Sequence, residues 1–121
     1  ETLFRLVETA DVVVENYRVG VMDKLGVGYD ALAEINPRIV YGAVRGFGDP
    51  RSGESPYASW PSYDVVAQAM GGLVAMNGTS PDERVKVGPF VGDIFPGTMA
   101  AMAVMAAIHH ASRAGEAASR P

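Results

Sequence analysis

Hydrophobic and polar positions change period several times along this chain, and each change marks an element. Leu3, Leu6 and Val7 share a face at helical spacing, so residues 2–8 read as the end of an amphipathic helix. Asp11-Val12-Val13-Val14-Glu15 is a short β-branched run that suits a buried parallel strand. Asn16-Tyr17-Arg18-Val19-Gly20 leaves it as a loop. A short helix through Met22, Lys24 and Leu25 follows and stops at Gly26-Val27-Gly28. Tyr29-Asp30 opens a second short helix over residues 31–35, closed by Asn36-Pro37. Arg38-Ile39-Val40-Tyr41-Gly42-Ala43-Val44 is the next strand.

Strand, helices, strand is the pattern of a βαβ crossover, so the chain is predicted to be an α/β layered fold. Residues 46–61 are rich in Gly, Pro and Ser and read as a long loop, a kind of segment that often carries function. Ser62 or Asp64 can cap a helix running from Val65 to about Leu73. Residues 77–89, with Gly78, Pro81 and Gly88, read as loop or hairpin. Residues 94–111 form the longest helical pattern. It is Ala- and Met-rich and apolar almost all round, which predicts a buried helix with Met99, Met102 and Met105 in the core. There is no internal repeat and no low-complexity tract.

Composition narrows the function classes. The 121 residues suffice for one modest domain, and 48% hydrophobic with 20% charged is not the balance of a disordered chain. A net charge of −4 leaves no basic stripe to neutralise phosphates, so no nucleic-acid partner is expected. The absence of cysteine excludes disulfides, zinc-thiolate sites and a Cys nucleophile. No signal peptide is visible, which points to a cytoplasmic protein. The apolar run over residues 94–108 is short for a bilayer and rich in Ala and Gly, so no membrane association is expected. The chain opens on Glu1-Thr2-Leu3 inside an amphipathic pattern, without an initiator Met, and ends in Ala118-Ser119-Arg120-Pro121. A fragment, incomplete at both ends, is the expectation.

Several familiar constellations fail on inspection. Gly26-x-Gly28 follows a helix where a dinucleotide fingerprint needs a strand, and Gly46-x-Gly48 has Arg51 where the third glycine belongs. There is no phosphate-binding Lys-Ser/Thr pair and no nucleophile elbow. His109 and His110 are adjacent and point about 100° apart on a helix, so no metal site is expected there. Asp82-Glu83 with Arg84 and Lys86 reads as a solvated loop face.

Asp93 stands out. It is a lone acid in Val91-Gly92-Asp93-Ile94-Phe95-Pro96-Gly97, at the entrance to the long helix. A helix N-terminus favours an ionised carboxylate and presents free N–H groups to it. Its glycine neighbours leave room for close approach. The ordinary reading of such an Asp is an N-cap.

Three ordered segments add to that local picture. The first is Ala10-Asp11-Val12-Val13-Val14-Glu15-Asn16-Tyr17-Arg18-Val19-Gly20-Val21-Met22, continuing through Leu25-Gly26. The second is Ile35-Asn36-Pro37-Arg38-Ile39-Val40-Tyr41, then Gly46-Phe47-Gly48, Ser62-Tyr63-Asp64 and Gln68-Ala69-x-Gly71-Gly72-Leu73. The third is the segment around Asp93. In this order and spacing they resemble the class III CoA-transferase family, which includes formyl-CoA transferase and the carnitine and bile-acid CoA-transferases. The resemblance covers nearly the whole chain. It implies a middle portion of a Rossmann-like large domain, with short parallel strands and a long apolar C-terminal helix. It also implies a longer parent protein whose two subunits interlock as a homodimer.

Carried over position by position, the resemblance makes Asp93 the catalytic nucleophile. It makes Asn16, Tyr17 and Arg18 the loop that contacts coenzyme A. Lys24 falls where formyl-CoA transferase has an Arg, and Lys lacks the bidentate fork of Arg. Trp60, Pro61, Ser62 and Tyr63 match a segment beside the thiol arm of CoA, where formyl-CoA transferase has a Lys near Pro61. Gly115-Glu116-Ala117 departs from the family's Gly-x-Gly-Gln run. The implied reaction moves CoA from an acyl-CoA thioester to a free carboxylic acid through covalent aspartyl intermediates, with CoA as substrate and no permanently bound cofactor. The related α-methylacyl-CoA racemases place a His at the position of Tyr63. Tyr titrates near about 10 and suits proton transfer at carbon poorly, so transfer is favoured over racemisation. The other role for Tyr63 is packing, with its hydroxyl bonded to backbone. A racemase, a CoA isomerase and an inert CoA-binding fragment are the alternatives. The isolated fragment is expected to be inactive.

Overall fold

The computed structural model describes residues 1–118; the terminal Ser119-Arg120-Pro121, read above as part of an interrupted end, lie outside the described residues. The chain divides into two compact units. One comprises residues 1–44 and the long helix from residue 100, the other residues 45–99.

In the first unit, α1 (Thr2–Val7) leads to β1 (Val12–Glu15), then α2 (Val21–Lys24), α3 (Tyr29–Ile35) and β2 (Val40–Ala43). β1 and β2 pair in parallel, with Val12 opposite Val40 and Glu15 opposite Ala43. This is the βαβ crossover that the alternation of β-branched runs and helical periods predicts. Val7, Leu32 and Ile39 form the buried core, with Phe4, Val13, Val27, Ile35 and Tyr41 packed against them. Asn36 fastens the crossover back to its start. Its side-chain amide donates to the carbonyls of Val7 at 3.0 Å and Ala10 at 2.9 Å, closing α1 against the end of α3. A Cβ at Gly42 would lie 3.2 Å from Val104 Cγ2, so a glycine here lets the strand and the long helix come close.

The expectation of a fully buried parallel strand needs correction. Val14 is 61% exposed: among the described residues the sheet has two strands, and α6, which reaches the partner position Gly42 through Val104, covers that face only in part. Parallel sheets need cover on both faces.

In the second unit, the long loop after β2 contains no helix or strand until α4 (Asp64–Met70), which is followed by α5 (Leu73–Met76). The loop is folded on an aromatic group: Tyr57 and Trp60 meet edge to face with centroids 4.8 Å apart, and Phe47 lies 5.8 Å from Tyr57. Gly72, at φ 81°, turns the chain from α4 into α5. The predicted hairpin forms as β3 (Gly78–Ser80) and β4 (Glu83–Arg84), paired antiparallel with an irregularity in register. Neither Ser62 nor Asp64 caps α4. Its N-cap is Tyr63, which makes no side-chain cap bond, and Asp64 is its first helical residue.

The last element, α6 (Val91–Ala118), differs most from expectation. It begins three residues before residue 94, and it is not buried. Phe95, Met99, Met102 and Met105 are all more than 60% exposed. Among the described residues, its first two positions, Val91 and Gly92, and a stripe through Ala100, Val104, Ala107, Ile108 and Ala111 are partly covered. A helix apolar on every side needs neighbours on every side, and the other elements of this chain cover one stripe. Over Val91–Arg113 the helix, with mean hydropathy 1.6, is long and apolar enough to cross a membrane, which the shorter run counted from the sequence is not.

Candidate active site

The backbone entering α6 fixes where Asp93 stands. Asp93 is the third helical residue and is exposed; the N-cap position belongs to Phe90, whose side chain has no acceptor. The N-terminal N–H groups, expected to be free, are all engaged. Val91 donates to Pro89 O at 2.9 Å, and Gly92 donates to Asp64 Oδ1 at 2.8 Å. Asp93 and Ile94 both donate to Phe90 O, at 3.1 and 2.9 Å. The backbone donors of residues 91–94 at the helix start are therefore engaged. Pro96 lies inside the first turns and has no N–H, which leaves the Gly92 carbonyl without its helical donor.

The anion at the N-terminus of α6 is Asp64, supplied by α4. Asp64 and Gln68 lie one turn apart on α4 and are buried, at 5% and 2% exposure. The Gln68 amide donates to both Asp64 oxygens at 3.0 and 2.8 Å, and its oxygen accepts from Val87 N at 2.8 Å. The same amide reaches the carbonyls of Val87 at 3.3 Å and Pro89 at 3.4 Å. The Gln68 hydrogen bonds, with help from the Gly92 N–H and the Lys86 ammonium, hold the Asp64 carboxyl below its ordinary range against the opposing effect of burial. Lys86 Nζ sits 4.0 Å from Asp64 Oδ2, donates to Val87 O and Gly88 O, and lies 5.3 Å from the Phe90 ring centroid. Lys86 is thus part of this cluster and not simply a solvated loop cation. The approach of α4 to α6 demands glycine: a Cβ on Gly92 would stand 2.9 Å from Ala67 Cβ and 3.0 Å from Asp64 O.

Sequence reasoning placed Asp64 and Gln68 in a motif, offered Asp64 only as a cap for its own helix and gave Gln68 no role. The available signal was a polar pair at i and i+4 in an otherwise apolar helix, where a buried polar side chain must find partners.

The other candidates fall into two groups. Trp60, Pro61, Ser62 and Tyr63 precede α4 in the second unit. Trp60 and Tyr63 are 55% and 65% exposed, and half-buried Ser62 packs so closely on Gly46 that a Cβ there would collide with it. The Asp64–Gly92 bond joins the residue after Tyr63 to the residue before Asp93, so the structure brings these two stretches together. An open cavity of about 530 Å³ in the long loop is lined by Pro50, Gly53, Glu54, Ser55, Pro56 and Ala58, none of them a candidate.

Asn16, Tyr17, Arg18 and Lys24 belong to the first unit. The loop leaves β1 at the carboxyl end of the parallel strands, the end where α/β sheets bind ligands. Asn16 Nδ2 donates to Val44 O at 2.7 Å and ties the loop to the end of β2. Buried Glu15 accepts from Tyr17 N at 2.7 Å and from the Tyr41 hydroxyl at 3.3 Å. Glu15 is a second organising acid that sequence reasoning left without a role. The side chains of Tyr17, Arg18 and Lys24 are exposed. Among the described residues no group of three or more His, Cys, Asp or Glu is gathered, and His109 and His110 are both exposed.

Two short parallel strands joined by a helical crossover, with candidate side chains beyond the strand ends, define an α/β protein. Residues 1–119 match CoA-transferase family III, and the chain belongs to that family. It is 48% identical over 116 residues to the succinyl-CoA:mesaconate CoA-transferase of Haloarcula hispanica, covering 96% of this chain and 29% of that protein. It is 37% identical over 115 residues to the formyl-CoA:oxalate CoA-transferase of Streptomyces avermitilis, covering 95% of this chain and 27% of that one. A CAIB/BAIF family protein from Brucella suis superimposes with a TM-score of 0.83 at 38% identity, over 93% of this chain and 29% of that one. The chain thus spans less than a third of the length of these relatives.

Proposed function

We propose that this chain is part of the large domain of a longer CoA-transferase that moves CoA from an acyl-CoA thioester to a free carboxylic acid, with Asp93 as nucleophile. The observation that carries the assignment is the placement of Asp93. It is exposed, one turn from the open position of Gly97 and beside Gly92, whose backbone is held against α4, in a first turn whose N–H groups at residues 91–94 are engaged. Its carboxylate is open to an incoming thioester while its backbone is held.

In this reaction an Asp93 oxygen attacks the thioester carbonyl, the C–S bond breaks and CoA thiolate leaves, giving a mixed anhydride. The thiolate attacks the Asp93 carbonyl and expels the donor carboxylate, giving an aspartyl-CoA thioester. The acceptor carboxylate displaces thiolate from that thioester and forms a second anhydride. The thiolate then attacks the acceptor's acyl carbon, forming the new acyl-CoA and releasing Asp93. Each step is a carboxylate or thiolate exchange with no net proton, so no general acid is required. Oxyanion donors come from groups other than the first four N–H groups of α6, which are taken. Asn16, Tyr17, Arg18 and Lys24, with Trp60 to Tyr63, supply contacts to CoA in this scheme. The similar proteins are named for succinate, mesaconate and oxalate, all dicarboxylic acids, so short dicarboxylates are the first acceptors to assay.

Asp93→Ala in the full-length protein should abolish transfer and leave CoA affinity nearly unchanged. Transfer at the wild-type rate would sink the assignment. Incubation with acyl-CoA should add mass to the Asp93 peptide, and hydroxylamine should remove it. A homodimer located in the cytoplasm completes the proposal, and light scattering on the purified full-length protein checks the oligomer.

A further inference from the structure

We propose that Asp64 and Gln68 are positioning residues that set the direction in which the Asp93 carboxylate leaves α6. This rests on Asp93 being the nucleophile. The helix has no local cap, since Phe90 occupies the capping position and carries no acceptor. Its start is defined instead across 28 residues of chain by the Asp64 carboxylate on Gly92 N–H. Gln68 reads the two residues that lead in, accepting from Val87 N and donating to the carbonyls of Val87 and Pro89. Backbone on both sides of Phe90 is thereby registered against α4.

Two further features make that external hold necessary. Pro96 removes the helical donor of the Gly92 carbonyl, so the turn carrying Asp93 is short of one of its own bonds. Gly92 lets α4 approach to a distance that no side chain would tolerate, so a small shift of either helix is felt at once. The pair itself is fully partnered: among the described residues no buried side-chain nitrogen or oxygen lacks a hydrogen bond. A nucleophile misplaced by about 1 Å loses on the order of 10²-fold in rate, and this clamp acts one peptide away from Asp93.

The test uses the full-length protein over a range of acyl-CoA concentrations, reading kcat, KM and, at saturating acyl-CoA, the single-turnover rate of adduct formation on the Asp93 peptide. Gln68→Met keeps the volume and deletes the bonds. It should lower kcat and adduct formation by about 10²-fold while KM for acyl-CoA stays within about threefold. Asp64→Ala should behave alike, and Asp64→Asn, which keeps an acceptor for Gly92 N–H, should recover about tenfold of that loss. A folded Gln68→Met protein with undiminished adduct formation overturns the clamp. So does an Asp64→Asn enzyme no better than Asp64→Ala. If Asp64→Ala does not accumulate as folded protein, the Gln68→Met and Asp64→Asn rates decide. Absence of any Asp93 adduct in the wild-type protein overturns the nucleophile assignment itself, a result distinct from an adduct that forms equally fast without the clamp.

Discussion

Asp64 accepts a 2.8 Å hydrogen bond from the backbone N–H of Gly92, so the first turn of α6 is capped by the first residue of α4. Local capping ties a helix to its own loop. Capping from another helix ties two elements together, and here it places the stretch containing Tyr63 beside the stretch containing Asp93.

Acid should weaken this junction. The folded Asp64 carboxyl titrates below its unfolded value, chiefly because Gln68 donates to it. Its contribution to stability is therefore complete above the unfolded pKa, about 4, and is lost as pH falls from there through the folded pKa. Urea denaturation at pH 7 and pH 3 should show a smaller acid-induced loss in Asp64→Asn than in wild type. Equal losses in the two proteins would contradict the assignment of this titration to Asp64.

Gly92→Ala should destabilise by about 1–3 kcal/mol, since its Cβ would press on Ala67 Cβ and Asp64 O and one helix must retreat. Gly97→Ala meets no atom within 4 Å and should leave stability unchanged or slightly raised. The comparison of the two melts separates crowding from a general intolerance of side chains in this turn.

Leu32 is fully buried in the first unit against Val7 and Ile39. Leu32→Ala should cost about 2–5 kcal/mol, measured by denaturant unfolding. Asn36→Ala, which leaves the carbonyls of Val7 and Ala10 without their donor, should cost about 1–3 kcal/mol by the same measurement.

The exposed face of α6 should show itself in solution. Phe95, Met99 and Met102 form a continuous apolar strip, and such strips drive association. Sedimentation velocity on the isolated chain should show self-association that rises with concentration and falls in the Met99→Glu, Met102→Glu double variant. A monomer at all concentrations would mean that the strip is covered.

Much of the architecture was legible because it depends on local periodicity and turn chemistry. The β-branched runs over Val12–Glu15 and Val40–Ala43, the helices between them and the Gly- and Pro-marked hairpin follow from neighbouring residues alone. The family was legible for a similar reason, since it rests on an ordered set of short motifs along most of the chain. What covers a helix is not a local property. The pattern of α6 says only that it is apolar all round, and the folded chain supplies neighbours for one stripe. The same holds for the site. By itself the sequence determined that an acid stands at the entrance to the long helix, and it favoured a capping Asp93 with free N–H groups around it. Only the tertiary structure decided that Asp64 takes the capping role and Asp93 is left exposed, because a hydrogen bond spanning 28 residues depends on how α4 packs on α6 and leaves no trace in either segment alone.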